Sequence, residues 1–269
     1  MSSSAAFELA LARGLCTLFG EGEPADSIAL AQIGQQAESA YFGKPCGLMD
    51  QAAVALGGVQ HMDFSDPAVL KAEPLDFDFA DHGYAICIIA VGADHSANID
   101  DYAAVPSEMQ AVAKALGKDI LSQVGEADVL AAIPQLREQL GDRAVLRAMH
   151  YYNEQNLVAA RVEALKSGDI KRFLELTRSS GISSAMLLQN VSVGGTAEQP
   201  SMVAIALAER LLENRGAARV HGGGFGGTIQ AFVPIDDVES FSAGMDAVFG
   251  KGACGVYGVD HEGARAQWL

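Results

Sequence analysis

The segment Val220-His221-Gly222-Gly223-Gly224-Phe225-Gly226-Gly227-Thr228 places five glycines in nine positions. Glycine adds nothing to a core. It lets the backbone take positive φ, or lets another group come close to its N–H. Ala217–Val220 precedes the run, and Thr228-Ile229-Gln230-Ala231-Phe232-Val233-Pro234 follows it, alternating and rich in β-branched and aromatic residues. The pattern predicts strand, glycine turn, strand. Two uses of such a turn stay open at this point: a tight hairpin without a ligand, and a nest of N–H groups for a phosphate.

Elsewhere the apolar spacing is mostly helical. Phe7, Leu11, Leu15 and Leu18 or Phe19 predict a helix from Ser4 to about Gly20, with serines as caps. A second helix is predicted from Asp26 to Tyr41, capped by Asp26, and Gly43-Lys44-Pro45-Cys46-Gly47 breaks it. A short helix at Met49 to Leu56 and a strand at Val59 to Phe64 follow. Ser65 to His82, rich in Asp, Pro and Phe, reads as a loop with a domain boundary near its end. Tyr84 to Val91 reads as a buried strand, and Ser107 to Arg215 as mostly helical, with long pieces at Asp142 to Lys166 and Pro200 to Asn214. A helix at Asp236 to Phe249 and a strand at Gly255 to Val259 close the chain. Without a regular βαβ rhythm the expected class is α+β.

The chain's 269 residues, 49% of them hydrophobic, suffice for one large core or two moderate ones. A net charge of −16 argues against nucleic acid or an anionic membrane as the main partner. The longest apolar run, Ala85 to Val91, is strand-sized and too short to span a bilayer. The opening Met1-Ser2-Ser3-Ser4-Ala5-Ala6 has no basic region of the kind a signal peptide carries. Cys16, Cys46, Cys87 and Cys254 form no CxxC pair, and their spacing suits neither zinc nor a disulfide framework. A reducing, cytoplasmic compartment is expected.

Three segments carry polar groups that chemistry could use. Serines just ahead of a helix put hydroxyls at its positive end, which is either an anion site or merely a serine-rich start. Glu38 and Asp50 lie twelve positions apart on either side of a turn. They read either as one metal ligand and one proton acceptor or as two solvated surface acids. Asp94-His95-Ser96-Ala97-Asn98-Ile99-Asp100-Asp101-Tyr102 follows the buried strand, as cleft lining or as a capped loop. His95, His150 and His221 have no partner at metal spacing, and neither a zinc site nor a Ser-His-Asp triad is expected.

Together these segments resemble galactokinase, within the GHMP small-molecule kinases. Ser2-Ser3-Ser4-Ala5 looks like the end of that family's Gly-Leu-Ser-Ser-Ser-Ala phosphate motif. Glu38 through Gln51, ending Cys46-Gly47-Leu48-Met49-Asp50-Gln51, matches its Glu-x₁₁-Asp-Gln segment, and Gly222 to Gly227 its late glycine motif. The stretch ending Asp101-Tyr102 is similar to the one whose tyrosine contacts the sugar, although Ala103-Ala104-Val105-Pro106 stands where many members have Asn-x-Arg-Arg. The resemblance implies a two-domain fold, with 1–82 belonging to the ATP-binding domain and 83–269 to the carboxy-terminal domain. It implies ATP and Mg²⁺ as cofactors and galactose as substrate, phosphorylated at the anomeric hydroxyl. By resemblance Asp50 is the base, Ser4 and Glu38 hold Mg²⁺, and Ser2 and Ser3 cradle the β- and γ-phosphates. Gly47 and Tyr102 contact the sugar. Gly222, Gly223, Gly224, Gly226 and Gly227 shape the cleft where donor and sugar meet.

Galactokinases carry an Arg-x-Asn-Leu-Ile-Gly-Glu-His-Thr-Asp-Tyr segment ahead of the serine motif, and this sequence has no counterpart. The expectation is a truncated amino-terminal domain with unpaired sheet edges and exposed apolar surface, poor sugar affinity, and weak or absent turnover by these residues alone. Two other functions fit the same motifs: a galactose- and ATP-binding sensor without turnover, and a related kinase for N-acetylgalactosamine or galacturonate.

Overall fold

The computed structural model describes residues 3–20, 25–43, 46–66, 69–92 and 99–266. The chain divides into two compact units, Met1–Phe77 with Val259–Leu269, and Asp78–Gly258.

The first unit holds helices α1 (Ser3–Phe19), α2 (Ser27–Gln36) and α3 (Met49–Leu56). Its ribbon is antiparallel, β1 (Val59–Asp63) against β2 (Lys71–Leu75), with Val59 opposite Leu75 and Asp63 opposite Lys71. Asp26 caps α2 as expected, its carboxylate accepting from the N–H groups of Ile28 (3.4 Å) and Ala29 (3.2 Å). After Gln36 the chain stays helical but widens into a π turn, Ala37–Tyr41, so the helix expected to run to Tyr41 changes its hydrogen-bond step five residues early. β2 falls where the sequence predicts a loop. Its Pro74 disguises a strand, and a two-stranded ribbon tolerates proline because one side of each strand needs no ladder bond.

Leu9, Leu30, Ala31, Ala52, Ala55 and Leu70 form this unit's core. The stripe that predicts α1 is not the face it buries. Ala5 and Leu9 are inside, whereas Phe7, Leu11, Leu15, Leu18 and Phe19 are exposed, because α2 and α3 pack against the opposite, alanine-rich side. The carboxy-terminal residues also pack here: Arg13 donates to the carbonyls of Ala264 (3.0 Å) and Ala25 (2.7 Å), and the Gly58 N–H to Asp260 (2.7 Å). The sequence reading places 83–269 in the carboxy-terminal domain, and Val259–Leu269 group with the first compact unit.

The second unit is built on a four-stranded antiparallel sheet, ordered β4 (Ala217–Val220), β5 (Thr228–Pro234), β3 (Tyr84–Ala90), β6 (Cys254–Tyr257). The closing strand therefore ends at Tyr257, short of the expected Val259. Alternate residues of β3 and β5, Cys87, Ile89, Ile229 and Ala231, meet Ala204, Ala208 and Leu212 of α9 (Pro200–Leu212) and Phe241 and Met245 of α10 (Val238–Phe249). Phe232 points the other way and packs against Phe79 and, edge to face, Phe173, ring centroids 4.9 and 5.1 Å away. Phe173 belongs to α8 (Ile170–Ser183), which continues into a π turn, Ser184–Leu188. Helices α4 (Ile99–Ala115), α5 (Glu126–Ala131), α6 (Ile133–Leu140) and α7 (Asp142–Lys166) share a separate core around Val112, Val129, Leu136 and Ala148. Among the described residues no helix is long and apolar enough to cross a membrane.

Candidate functional site

In the first unit Ser3 and Ser4 open α1 with exposed side chains, and no acidic residue stands in that first turn. Ser2 lies outside the described residues. One helical turn on from Ser4 is Glu8, and Gln51 ties it to Glu38. The Gln51 amide Nε2 donates to Glu38 Oε2 (2.9 Å) and to Glu8 Oε2 (3.3 Å), and it lies 3.9 Å from Cys46 Sγ. An amide carries two N–H donors, so one side chain serves both acids. Gln51 is 1% exposed and Glu38 6%, which removes the surface-acid reading of Glu38. Gln51 Oε1 is buried without a partner among the described residues.

Burial, and after it the charge of Glu38, pushes the Cys46 thiol above its ordinary range. The protonated thiol donates to the Gln35 carbonyl (3.9 Å), while the Gln35 amide donates to the Cys46 carbonyl (3.1 Å). This reciprocal pair holds the start of α3 against α2. Asp50 lies in the first turn of α3 with its side chain exposed. Gly47 is exposed too, and among the described residues no atom occupies the space a Cβ would take there. The structure therefore brings Glu38 to the residue next to Asp50. Glu8 was missed by sequence reasoning, although its i+4 spacing from Ser4 puts it on the same helix face.

In the second unit the glycine run links β4 to β5 as predicted, with His221 N–H bonded to the Thr228 carbonyl (3.2 Å). Asn190, 2% exposed, clamps it from the end of the π turn. Its amide Nδ2 donates to the Gly223 carbonyl (3.0 Å), and its own carbonyl accepts from the Phe225 N–H (2.5 Å). Gly224 has φ +85° and sits so close to the Asn190 backbone that a Cβ would overlap it. Phe225 takes φ +58°, uncommon for a bulky residue, and its buried side chain anchors it there. Tyr102, half-exposed on α4, fills the space above Gly223. Pro106, four residues on, has no N–H to return to the Tyr102 carbonyl.

Two partly buried ionic networks in this unit were not foreseen. Arg147, 1% exposed, donates to Glu108 (3.0 Å) and to the Leu188 carbonyl (3.2 Å), and Glu108 also accepts from Arg143. Glu154 accepts from Ser180 (2.9 Å), which in turn accepts from Arg219 (2.6 Å). His150 is buried, with Nδ1 2.9 Å from Ser183 Oγ, and burial pushes its pKa down. It is a core histidine. The Asp94–Asn98 part of the candidate cleft, with His95, lies outside the described residues.

Residues 1–58 match the family of GHMP kinases N terminal domain. A galactokinase of Mannheimia succiniciproducens is 33% identical over 247 residues, covering 89% of this chain and 59% of its own length. One from Streptomyces coelicolor is 31% identical over 255 residues, covering 93% and 61%. The chain thus spans about three fifths of the length of these relatives. Among solved structures, Lactococcus lactis galactokinase complexed with galactose superposes with a TM-score of 0.75 at 23% identity, covering 99% of this chain and 67% of the other. L. major mevalonate kinase in complex with R-mevalonate gives a TM-score of 0.61 at 17% identity, covering 98% of this chain and 67% of the other. Sequence and fold together make this chain a homologue of the galactokinases with the GHMP-kinase fold.

Proposed function

We propose that the protein transfers the γ-phosphoryl group of ATP to the anomeric hydroxyl of galactose, giving galactose 1-phosphate and ADP. The observation that carries this reading is the buried Gln51–Glu38 bond beside Asp50, inside the segment that resembles galactokinases most specifically. Identity of 31–33% to galactokinases supports the same chemistry.

In this reading Asp50 accepts the proton of the attacking hydroxyl, and Gly47 and Tyr102 contact the sugar. Ser2, Ser3 and the N-terminus of α1 receive the β- and γ-phosphates, which suits a 17-residue helix with no acid in its first turn. Gly222, Gly223, Gly224, Gly226 and Gly227 present backbone to the reactants. The donor set fits Mg²⁺: this ion takes one or two carboxylates and completes its shell with phosphates and water. Ser4 and Glu38 would hold it, and the orphaned Gln51 Oε1 adds an oxygen beside Glu38. Among the described residues no three or more His, Cys, Asp or Glu side chains form an all-protein metal site. Bound Mg²⁺ neutralises phosphate charge, and phosphoryl transfer otherwise needs alignment more than covalent help. Gln51 holds Glu38 in place, and Cys46, kept protonated, adds no further negative charge. The four free thiols suit a reducing, cytoplasmic setting.

The test is galactose-dependent ADP release, with galactose 1-phosphate identified by phosphorus NMR. Asp50→Asn should lower turnover by about 10²- to 10⁴-fold. If neither galactose nor ATP binds, the reading fails. If both bind and Asp50→Asn changes no rate because there is none, the protein is a sensor.

A further inference from the structure

The second unit contains a cavity of about 260 Å³ bordered by α4, α7 and the segment after the π turn that ends α8. Three charged side chains border it: Asp101 on α4, and Arg143 and Arg147 one helical turn apart on α7. Val191, Met202 and Phe225 give it an apolar wall. Its positive side is under-compensated. Among the described residues Glu108 is the one acid paired with both arginines, accepting from Arg143 Nε (3.0 Å) and Arg147 Nη1 (3.0 Å). Arg147 is 1% exposed, and its Nε is committed to the Leu188 carbonyl (3.2 Å). A guanidinium carries five N–H donors, and those on Arg147 Nη2 have no acceptor among the described residues. Nη2 is nevertheless not one of the unpartnered atoms shut away from solvent, so it opens on the cavity that Arg147 borders.

The negative side is Asp101, half-buried in the first turn of α4. Its carboxylate accepts no hydrogen bond and forms no ion pair among the described residues, although its charge acts on both guanidinium groups. It therefore stands apart from the arginines instead of closing on them. A simple anion in this space would be drawn to Arg147 and repelled by Asp101, and a simple cation would meet the reverse. A small molecule with both charges a few bonds apart satisfies both sides at once.

We propose that this cavity binds a zwitterionic α-amino acid with an apolar side chain, its carboxylate on Arg147 Nη2, its ammonium group on Asp101 and its hydrocarbon against Val191, Met202 and Phe225. The site lies outside every role assigned above. Asp101 precedes Tyr102, and Phe225 belongs to the glycine turn, so an occupant would brace both.

L-valine is the probe. Titrated into the isotope-labelled full chain, it should shift the Asp101, Val191 and Ser192 amide resonances saturably. Isovalerate lacks the ammonium group, isobutylamine the carboxylate and glycine the hydrocarbon. Each should bind at least about tenfold more weakly, the cost of one charge-assisted hydrogen bond or of a few buried carbons. Replacing Arg147 would strip a buried ion pair, so Asp101→Asn is the variant of choice. It keeps the size of the side chain and removes the charge. It should weaken valine by about tenfold and strengthen isovalerate, which no longer meets a like charge. The proposal is overturned if valine leaves these amides unshifted, or if isovalerate, isobutylamine or glycine equals it on the parent chain. It is overturned equally if Asp101→Asn keeps the parent's preference for valine over isovalerate. The comparison of ligands on the parent chain needs no variant to fold. None of these readouts requires turnover, so they stand apart from the kinase reading.

Discussion

The ring of Tyr102 occupies the space in which a Cβ on residue 223 would stand. A side chain at 223 would therefore have to displace that ring on α4. Gly223→Ala should destabilise the fold by about 1–3 kcal/mol, the usual range for overpacking. In a Tyr102→Ala background the same change should be nearly harmless. A double-mutant cycle by urea unfolding measures the difference, and additive effects would refute the contact.

Asn190 is the second support of the same turn. Asn190→Ala removes the donor to the Gly223 carbonyl and should lower stability by about 1–3 kcal/mol. Asn190→Asp keeps the size but loses the donor, so it should be no better. Equal stability of Asn190→Asp and the parent chain by chemical denaturation would show that Nδ2 is not what holds the loop.

Gln51→Leu tests the arrangement around Glu38. It leaves Glu38 and Glu8 without their shared donor, and a buried polar group that loses a hydrogen bond costs stability. The variant should be less stable than the parent at neutral pH by about 1–3 kcal/mol. Equal stability of Gln51→Leu and the parent chain by urea unfolding would count against this shared bond.

His150 gives a pH signature. Burial depresses its folded pKa below the ordinary 6.5, so the unfolded chain binds the proton more tightly. Its contribution is fully present above about 6.5 and is lost as pH falls through that value toward the folded pKa. His150→Gln should flatten the fall in melting temperature between pH 7.5 and 5.5, and an unchanged slope would exclude this residue.

The sequence made some parts of this molecule plain and hid others for physical reasons. The glycine run and its flanking strands were legible because turn chemistry and alternation are local. So was the Asp26 cap. The long helix Asp142–Lys166 matched its predicted ends, with Gly141 and Gly168 as punctuation. The buried face of α1 was not legible: periodicity shows that a helix has an apolar stripe but not which side its neighbours cover. β2 was hidden by Pro74. The Asn190 clamp and the Glu108–Arg147 pair were invisible because their members lie 33 and 39 residues from their partners, beyond the reach of any spacing rule. Glu38 and Asp50 stood out in the sequence as a pair of acids across a turn, whereas Glu8 and the bridging role of Gln51 emerged only from the packing of α1, α2 and α3.

Helix α1 turns Phe7, Leu11, Leu15 and Leu18 toward water, with Phe7 at 71% exposure. Greasy side chains in a row along one helix invite other molecules to adhere, and the −16 net charge opposes that by mutual repulsion. Added salt screens the repulsion and leaves the oily row untouched. Turbidity and particle size of this protein should therefore climb with ionic strength, and rates or melting points recorded in concentrated salt will partly describe clusters.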